Sequence, residues 1–473
     1  MTIKFYNRER ELSVLESVKK PFFAVIYGRR RIGKTSLSLK FAENKDHVYF
    51  FVNPKKSENL LLEEFSEILR RKLNLKEYVR PGNWEEFFSL LFRYRGIVIF
   101  DEFQWFLEVN KSVPFILQKY WDTEKNKPSF ILTGSTVGMV KKLFEREGSP
   151  LFKRSDVVIR LGELEPGDVF NILEDLKIKS FEKKFEFFLI FGGVPYYYRF
   201  VEKYGVRDIE TCLKKLVFDE LGPLRNEVEE VMVEAFKREY RTYLSILLAI
   251  AEGKTKMEEI SSYAGIKHTS LPYYLSDLTD RLGIVEKHRI SFKKKFVYHI
   301  KDRFYNFWLR YVYKNSSTEN SELLFEKVMK DVNSFFGWSF ETTVRENILK
   351  IFTDLERKMK YYGSFREGGE RKVFDIDVVA LNEKTREILF AECKWQPRVN
   401  AEKVCRELAR KTEYVDWHKN GRKESFAVFA RSFSKRISEF EGRPVHCFDL
   451  KDLKRVLSRG KRDTSVKFIN RGG

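Results

Sequence analysis

A chain of 473 residues carries 89 Lys and Arg against 69 Asp and Glu, which gives a net charge of +20 at pH 7. With 43% hydrophobic residues and no low-complexity tract, it has the apolar content of packed cores, and the length predicts about three domains. The positive excess points to a polyanionic partner, nucleic acid before membrane; with no apolar run near about 18 residues and no signal peptide, a cytoplasmic protein without membrane association is expected.

Phe5 to Val18 reads as a short amphipathic helix, with Leu12, Leu15 and Val18 along one side. The apolar run Phe22–Tyr27 then breaks into Gly28-Arg29-Arg30-Arg31-Ile32-Gly33-Lys34-Thr35-Ser36 and continues as a helical pattern. G-x-x-x-x-G-K-T between strand and helix is the phosphate-binding P-loop. Its backbone N–H groups cradle the β-phosphate, Lys34 reaches the β/γ-phosphates, and the Thr35 hydroxyl helps hold Mg²⁺. ATP and Mg²⁺ are the expected cofactors. The run Arg29-Arg30-Arg31 reads as loop filler or an interdomain contact rather than as a DNA contact.

A buried strand at 47–52 and two helical segments, 58–73 and 83–93, lead to Ile97-Val98-Ile99-Phe100-Asp101-Glu102. In this pattern Asp101 binds Mg²⁺ through water and Glu102 orients and deprotonates the attacking water. Ser129–Ser135 is a further strand, expected between the P-loop strand and the acidic one, where Thr133 or Ser135 would touch the γ-phosphate or the water. Arg154 is a candidate arginine finger, acting in cis or from a neighbouring copy in a homo-oligomer, with a solvated arginine as the alternative. Residues 165–225 read as helices, interrupted at Gly192-Gly193-Val194-Pro195.

Residues 237–313 change character. Three short helices are followed by the strands 285–290 and 296–300, joined by Ser291-Phe292-Lys293-Lys294-Lys295. This is the order of a winged helix-turn-helix. His268, Thr269, Ser270 and Tyr273 would enter the major groove of DNA, and Lys293, Lys294 and Lys295 would meet phosphates. A protein–protein module is the alternative. The aromatic stretch 302–328 reads as a packing bridge, and a helix over 336–346 opens a last α/β unit.

Two strands there, 373–380 and 387–395, flank a turn at Asn382-Glu383-Lys384-Thr385. A hairpin centred between Lys384 and Thr385 sets Asp377 opposite Glu392, and strand alternation puts Lys394 on the face of Glu392. Asp377 and Glu392 would hold Mg²⁺, Glu341 would complete the metal shell, and Lys394 would position a water for phosphodiester attack. D-x(14)-E-x-K is the signature of the PD-(D/E)xK nucleases, and a version that binds without cutting is the alternative. The four cysteines, Cys212, Cys393, Cys405 and Cys447, lack the spacing of a zinc site or a disulfide framework.

From Asn7-Arg8-Glu9, the P-loop, Asp101-Glu102-Phe103-Gln104, Leu132-Thr133-Gly134-Ser135, Gly192-Gly193-Val194-Pro195, Asp302-Arg303-Phe304 with Phe307-Trp308, and Glu392-Cys393-Lys394-Trp395, the chain resembles the archaeal ATPase family. These are AAA+/STAND-like P-loop ATPases with a C-terminal nuclease-like domain, and the resemblance covers roughly residues 3–455. It implies that Arg8 lies near the nucleotide, that Ser135 is the sensor residue, that Arg154 is the finger and that Pro195 is a lid residue touching the base. Asp375-Ile376-Asp377 stands where the family usually has Glu-Ile-Asp, which keeps the carboxylate.

The predicted architecture is therefore α/β and multidomain. A P-loop ATPase core (1–164) carries a helical lid (165–232) and a winged helix-turn-helix (233–313). A PD-(D/E)xK nuclease-like domain (325–460) and a basic tail (461–473) follow. The expected function is ATP hydrolysis that regulates a Mg²⁺-dependent DNA nuclease, with a non-cutting signalling or scaffold switch as the alternative.

Overall fold

The computed structural model describes residues 5–135, 138, 143–144, 147–289, 296–315, 320–368, 370–458 and 465–468. The N-terminal part is a sheet of five parallel strands: β1 (Phe23–Tyr27), β2 (His47–Phe51), β3 (Ile97–Asp101), β4 (Ser129–Gly134) and β5 (Val157–Arg160). Their order is β5-β1-β4-β3-β2, so β4 does stand between the P-loop strand and the acidic strand. β1, β3 and β4 are buried along their whole length, as in a parallel sheet covered by helices on both faces. A further strand, β16 (Ser465–Phe468), returns from the far end of the described chain and pairs antiparallel with β5.

Helices Pro166–Asp175, Phe181–Phe191, Pro195–Lys203 and Glu227–Phe236 follow. Pro195 opens its helix as the first residue, where its missing N–H costs nothing. Three helices, Tyr240–Ala251, Met257–Ala264 and Leu271–Ser276, precede an antiparallel pair, β6 (Val285–Arg289) and β7 (Phe296–Ile300). The phosphate-binding residues expected at Lys293, Lys294 and Lys295 lie outside the described residues.

The aromatic bridge and the helix expected at 336–346 are joined differently from the sequence reading. Arg303–Tyr311 is one helix, and Ser321–Ile351 is a single helix of 31 residues. Gly337 does not end it, because the roughly 1 kcal/mol that glycine costs in a helix is small beside the burial of Phe335, Phe336, Phe340, Val344 and Ile348 on one stripe. The boundaries expected at 232/233 and 325 accordingly fall inside helices.

The last sheet is mixed. It contains β8 (Arg357–Glu367), β9 (Glu370–Asn382), β10 (Glu387–Lys394), β12 (Lys423–Ala430), β14 (Glu439–Phe440) and β15 (Arg443–Phe448), in the order β14-β15-β12-β10-β9-β8. A short parallel pair, β11 (Val399–Asn400) and β13 (Phe433–Lys435), accompanies it. β8, β9 and β10 run as antiparallel neighbours, and β10, β12 and β15 run parallel. The pairs from Glu387–Asn382 to Ala391–Val378 carry the register expected for a turn centred between Lys384 and Thr385. One continuous core joins the helices after residue 164 to one face of this sheet, with Phe185, Phe336 and Phe340 ringed around Trp395. Among the described residues no helix is long and apolar enough to cross a membrane.

Candidate functional site

The first cluster lies where β1, β3 and β4 end. Gly28 follows β1 directly, and a Cβ there would collide with the carbonyl of Leu161. Gly33 has φ +93° and starts the helix Lys34–Ala42, so its conformation favours glycine. Lys34 is buried, and its ammonium donates to the Arg29 carbonyl of the same loop at 2.9 Å. Burial pushes that amine below the usual lysine value, against the pull of Glu102 and Asp101.

Asp101 is the hub. Thr35 Oγ1 and Tyr49 OH donate to its Oδ2 at 2.8 and 2.7 Å, and Thr133 Oγ1 donates to Oδ1. Glu102 sits in a left-handed conformation (φ 57°) that turns its carboxylate to the next strand end, where Ser135 Oγ donates at 2.5 Å and Gln104 Nε2 also bonds. Thr35, Asp101, Glu102, Thr133 and Ser135 are thus brought together. Thr133 faces Asp101 rather than standing free for a phosphate. Tyr49 gave no sequence signal, since nothing in an apolar strand says which hydroxyl reaches across to a neighbour.

Pro195 also comes to this loop, its Cγ being the nearest atom to a Cβ placed on Gly33, at 3.9 Å. Arg8 reaches it too, but through its backbone: the guanidinium donates to the carbonyls of Gly162 at 2.7 Å and Ile32 at 3.4 Å and pairs with Glu11 at 3.2 Å. Arg154 does not come to this cluster. It forks onto Asp122 at 2.7–3.0 Å, and Asp156 two residues on bonds to Phe23, the first residue of β1. Arg154 therefore stands at the opposite end of the strands, about 17 Å from the loop for a five-residue strand. That placement does not suit a finger acting in cis.

The three loop arginines bond acids outside the loop. Arg29 pairs with Glu163 at 3.0 Å and with Asp302; Arg30 is bidentate to Glu234 at 2.7 and 2.8 Å; Arg31 pairs with Glu227 and lies 3.9 Å from the Tyr196 ring centroid. Glu227 and Glu234 are seven residues apart on one helix and so share a face. Asp302 caps the helix Arg303–Tyr311 through Tyr305 N at 2.8 Å while holding Arg29. The next residue, Arg303, bonds Thr343 at 3.2 Å and Glu346, both on the long helix.

The second cluster lies where β9 and β10 part. Asp377 Oδ2 accepts from Cys393 N at 2.8 Å, and Lys394 Nζ stands 3.7 Å from Glu392 Oε2, on the shared face expected from alternation. Burial, with Glu392 alongside, raises the Asp377 carboxyl to about 7. Burial opposes the charge of Lys394, but Glu392 and Asp377 hold its ammonium above the usual lysine value. Glu341 is held by Arg345 at 2.5 Å and by Lys360 at 3.0 Å, and Lys360 also pairs with Asp375 at 2.9 Å. Lys411 bonds Glu392. Among the described residues no group of three or more His, Cys, Asp or Glu side chains is placed to hold a metal. Among the described residues the three-carboxylate shell expected from Glu341, Asp377 and Glu392 is not assembled, and cations stand on Glu341 and Glu392. Lys360 and Lys411 were not legible in sequence, being two basic residues among 89.

The candidate DNA helix is shorter than expected, Leu271–Ser276, so that of the four candidate contacts only Tyr273 lies on it, 63% exposed, while His268, Thr269 and Ser270 are exposed in the turn before it.

A family model described as an ATPase domain predominantly from Archaea matches residues 5–199, and one described as archaeal and bacterial proteins of unknown function matches residues 308–405. The chain is 31% identical over 463 residues to the uncharacterized protein MJECL04 of Methanocaldococcus jannaschii, covering 95% of this chain and all of that one. It is 48% identical over 46 residues to the uncharacterized ATP-binding protein MJ0423 of the same organism, which is 9% of this chain and 78% of that one. Among solved structures, the Walker-type ATPase PABY2304 of Pyrococcus abyssi has a like fold, with a TM-score of 0.53 at 19% identity over 65% of this chain and 96% of that one. With an archaeal ATPase domain spanning the phosphate loop and both acids, and a relative that matches from end to end, the chain belongs to this family of archaeal P-loop ATPases.

Proposed function

We propose that this ATPase hydrolyses ATP at the Gly28–Ser36 loop and uses the cycle to regulate a Mg²⁺-dependent DNA nuclease centred on Asp377 and Glu392. The loop N–H groups and Lys34 would hold the phosphates, and Pro195 would touch the base from the lid helices. The Thr35 hydroxyl would help hold Mg²⁺, and Asp101, which accepts from it at 2.8 Å, would reach the ion through water; the ion neutralises phosphate charge when bound. Glu102, steadied by Ser135, orients the attacking water and takes its proton. An arginine finger at Arg154 would have to leave Asp122 and come from a neighbouring copy in a homo-oligomer.

In the C-terminal sheet, Asp377 and Glu392 would hold the divalent ion and Lys394 would set the nucleophilic water. The high proton affinity of Asp377 beside Glu392 marks two carboxylates that a cation would relieve. The three helices with β6 and β7 are read as a winged helix that presents His268, Thr269, Ser270 and Tyr273 to DNA.

One observation carries the regulatory link. Arg29 in the phosphate loop holds Asp302, and its neighbour Arg303 holds the helix that bears Glu341. Incubation with plasmid DNA, Mg²⁺ or Mn²⁺, and ATP should give cleavage that is lost in Asp377→Ala. Glu102→Gln should still bind ATP but turn it over roughly 10²–10⁴ more slowly, and Lys34→Ala should lose tight nucleotide binding. Cleavage that is absent under all these conditions, or equal in Asp377→Ala, sinks the nuclease reading.

The second reading, a switch that binds DNA or a protein without cutting, is favoured by the cations already seated on Glu341 and Glu392. It predicts unchanged DNA affinity in Glu392→Ala with no cleavage by either protein.

A further inference from the structure

β9 pairs with β10 only as far as Val378–Ala391, whereas its pairing with β8 continues from Tyr361–Ile376 out to Glu367–Glu370. A two-stranded ribbon therefore leaves the sheet at the point where Asp377 sits. Its two faces differ. On one, Phe365 stacks on Tyr414 at 4.5 Å, and Phe374 lies over Gly363, where a Cβ would meet its ring. The other carries the cross-strand pairs Tyr362–Asp375, Ser364–Val373 and Arg366–Arg371. Val373 is 78% exposed there, and Arg366 and Arg371 are both exposed.

Two arginines directly opposite each other destabilise a ribbon, and among the described residues neither has an acidic partner. Asp375, the acid on this face, is already taken by Lys360; Glu370 belongs to the other face by alternation. Residues 371, 373, 375 and 377 alternate onto one face of β9, so the arginine pair and Asp377 share a surface about 20 Å long. That length is the rise of about six nucleotides of one B-form strand. At the ribbon's base the Tyr362 hydroxyl stands 3.4 Å from His299 Nε2 on β7, which sets the candidate DNA-binding hairpin against the same surface.

We infer that this open ribbon face grips the phosphate backbone of duplex DNA, with Arg366 and Arg371 seated on phosphates about six nucleotides along the strand from the position of Asp377. The inference rests on reading Asp377 and Glu392 as a DNA site. Arginine forks suit phosphate oxygens; Val373 and Ser364 add no charge beside them, and Lys360 offsets the Asp375 carboxylate nearer Asp377.

The test is binding of a fluorescent DNA duplex to the full chain at a series of salt concentrations, for wild type and Arg366→Ala/Arg371→Ala. Each phosphate no longer neutralised by an arginine should lower the slope of log K against log salt by about 0.9, so the variant's slope should fall by about two. ATP turnover without DNA should stay at the wild-type rate, showing that the variant is folded. A wild-type slope retained in the variant overturns the ribbon assignment and leaves the DNA reading standing. A wild-type protein that binds no DNA duplex, or only RNA of the same sequence, overturns both.

Discussion

Arg29 serves two acids at once, and one of them has a second task. Asp302 caps a helix with one oxygen and holds Arg29 with the other, and its side chain is 1% exposed. Asp302→Ala removes the cap and leaves a mostly buried guanidinium short of a counter-charge. The expected loss is about 3–5 kcal/mol, read as a shifted urea midpoint. Asp302→Asn keeps the capping oxygen and should cost less while still altering ATP turnover, because the loop loses a charge that fixes it. If both variants turn over ATP as wild type does, Asp302 holds only the fold. Residues of this kind mark the limit of sequence reading. Lys34, Thr35, Asp101 and Glu102 were legible because their chemistry is written in consecutive residues at strand ends. The partners of Arg29 lie 134 and 273 residues away, and nothing local to the loop names them.

At the scale of elements, the ribbon depends on Gly363. Gly363→Ala should push Phe374 off the strand and cost about 1–3 kcal/mol as overpacking, with a loss near zero showing that the ring can move aside. The contact between β7 and the ribbon should weaken in acid. Burial lowers His299 to about 3 from an ordinary value near 6.5, with His288, Arg345 and Lys360 adding to the shift and Glu286 opposing it. A histidine that is neutral when folded contributes stability that is present above about 6.5 and lost as the pH falls toward 3. The urea midpoint should therefore drop between pH 7.5 and pH 5, and His299→Gln should flatten that drop. The β9–β10 register was readable because the turn and the apolar alternation agree. The end of the sheet on which Arg154 lies was not, since spacing along a chain does not say where a loop falls relative to a strand. In sequence the 31-residue helix falls into two pieces, an aromatic bridge ending at 328 and a helix opening at 336, although its buried stripe runs unbroken through both.

At the scale of the molecule, the core that runs from the helices after residue 164 into the last sheet makes the middle and the end of the chain one packed body. Trp395→Ala, in the centre of Phe185, Phe336 and Phe340, should cost about 3–5 kcal/mol and lower one calorimetric transition common to residues 165–458. Two separate transitions, only one of them shifted, would show that the halves melt independently. β16 extends the integration to the ATPase sheet. The open edge of β5 is covered by a strand made about 300 residues later, and at about 5–20 residues per second a ribosome needs tens of seconds to supply it. For that interval the nascent ATPase sheet presents a bare edge of unpaired backbone groups. Its final form is therefore reached only after the carboxylate-bearing sheet has been translated, so newly made chains would pass through an ATPase domain that is open on one side and prone to pair with a neighbour.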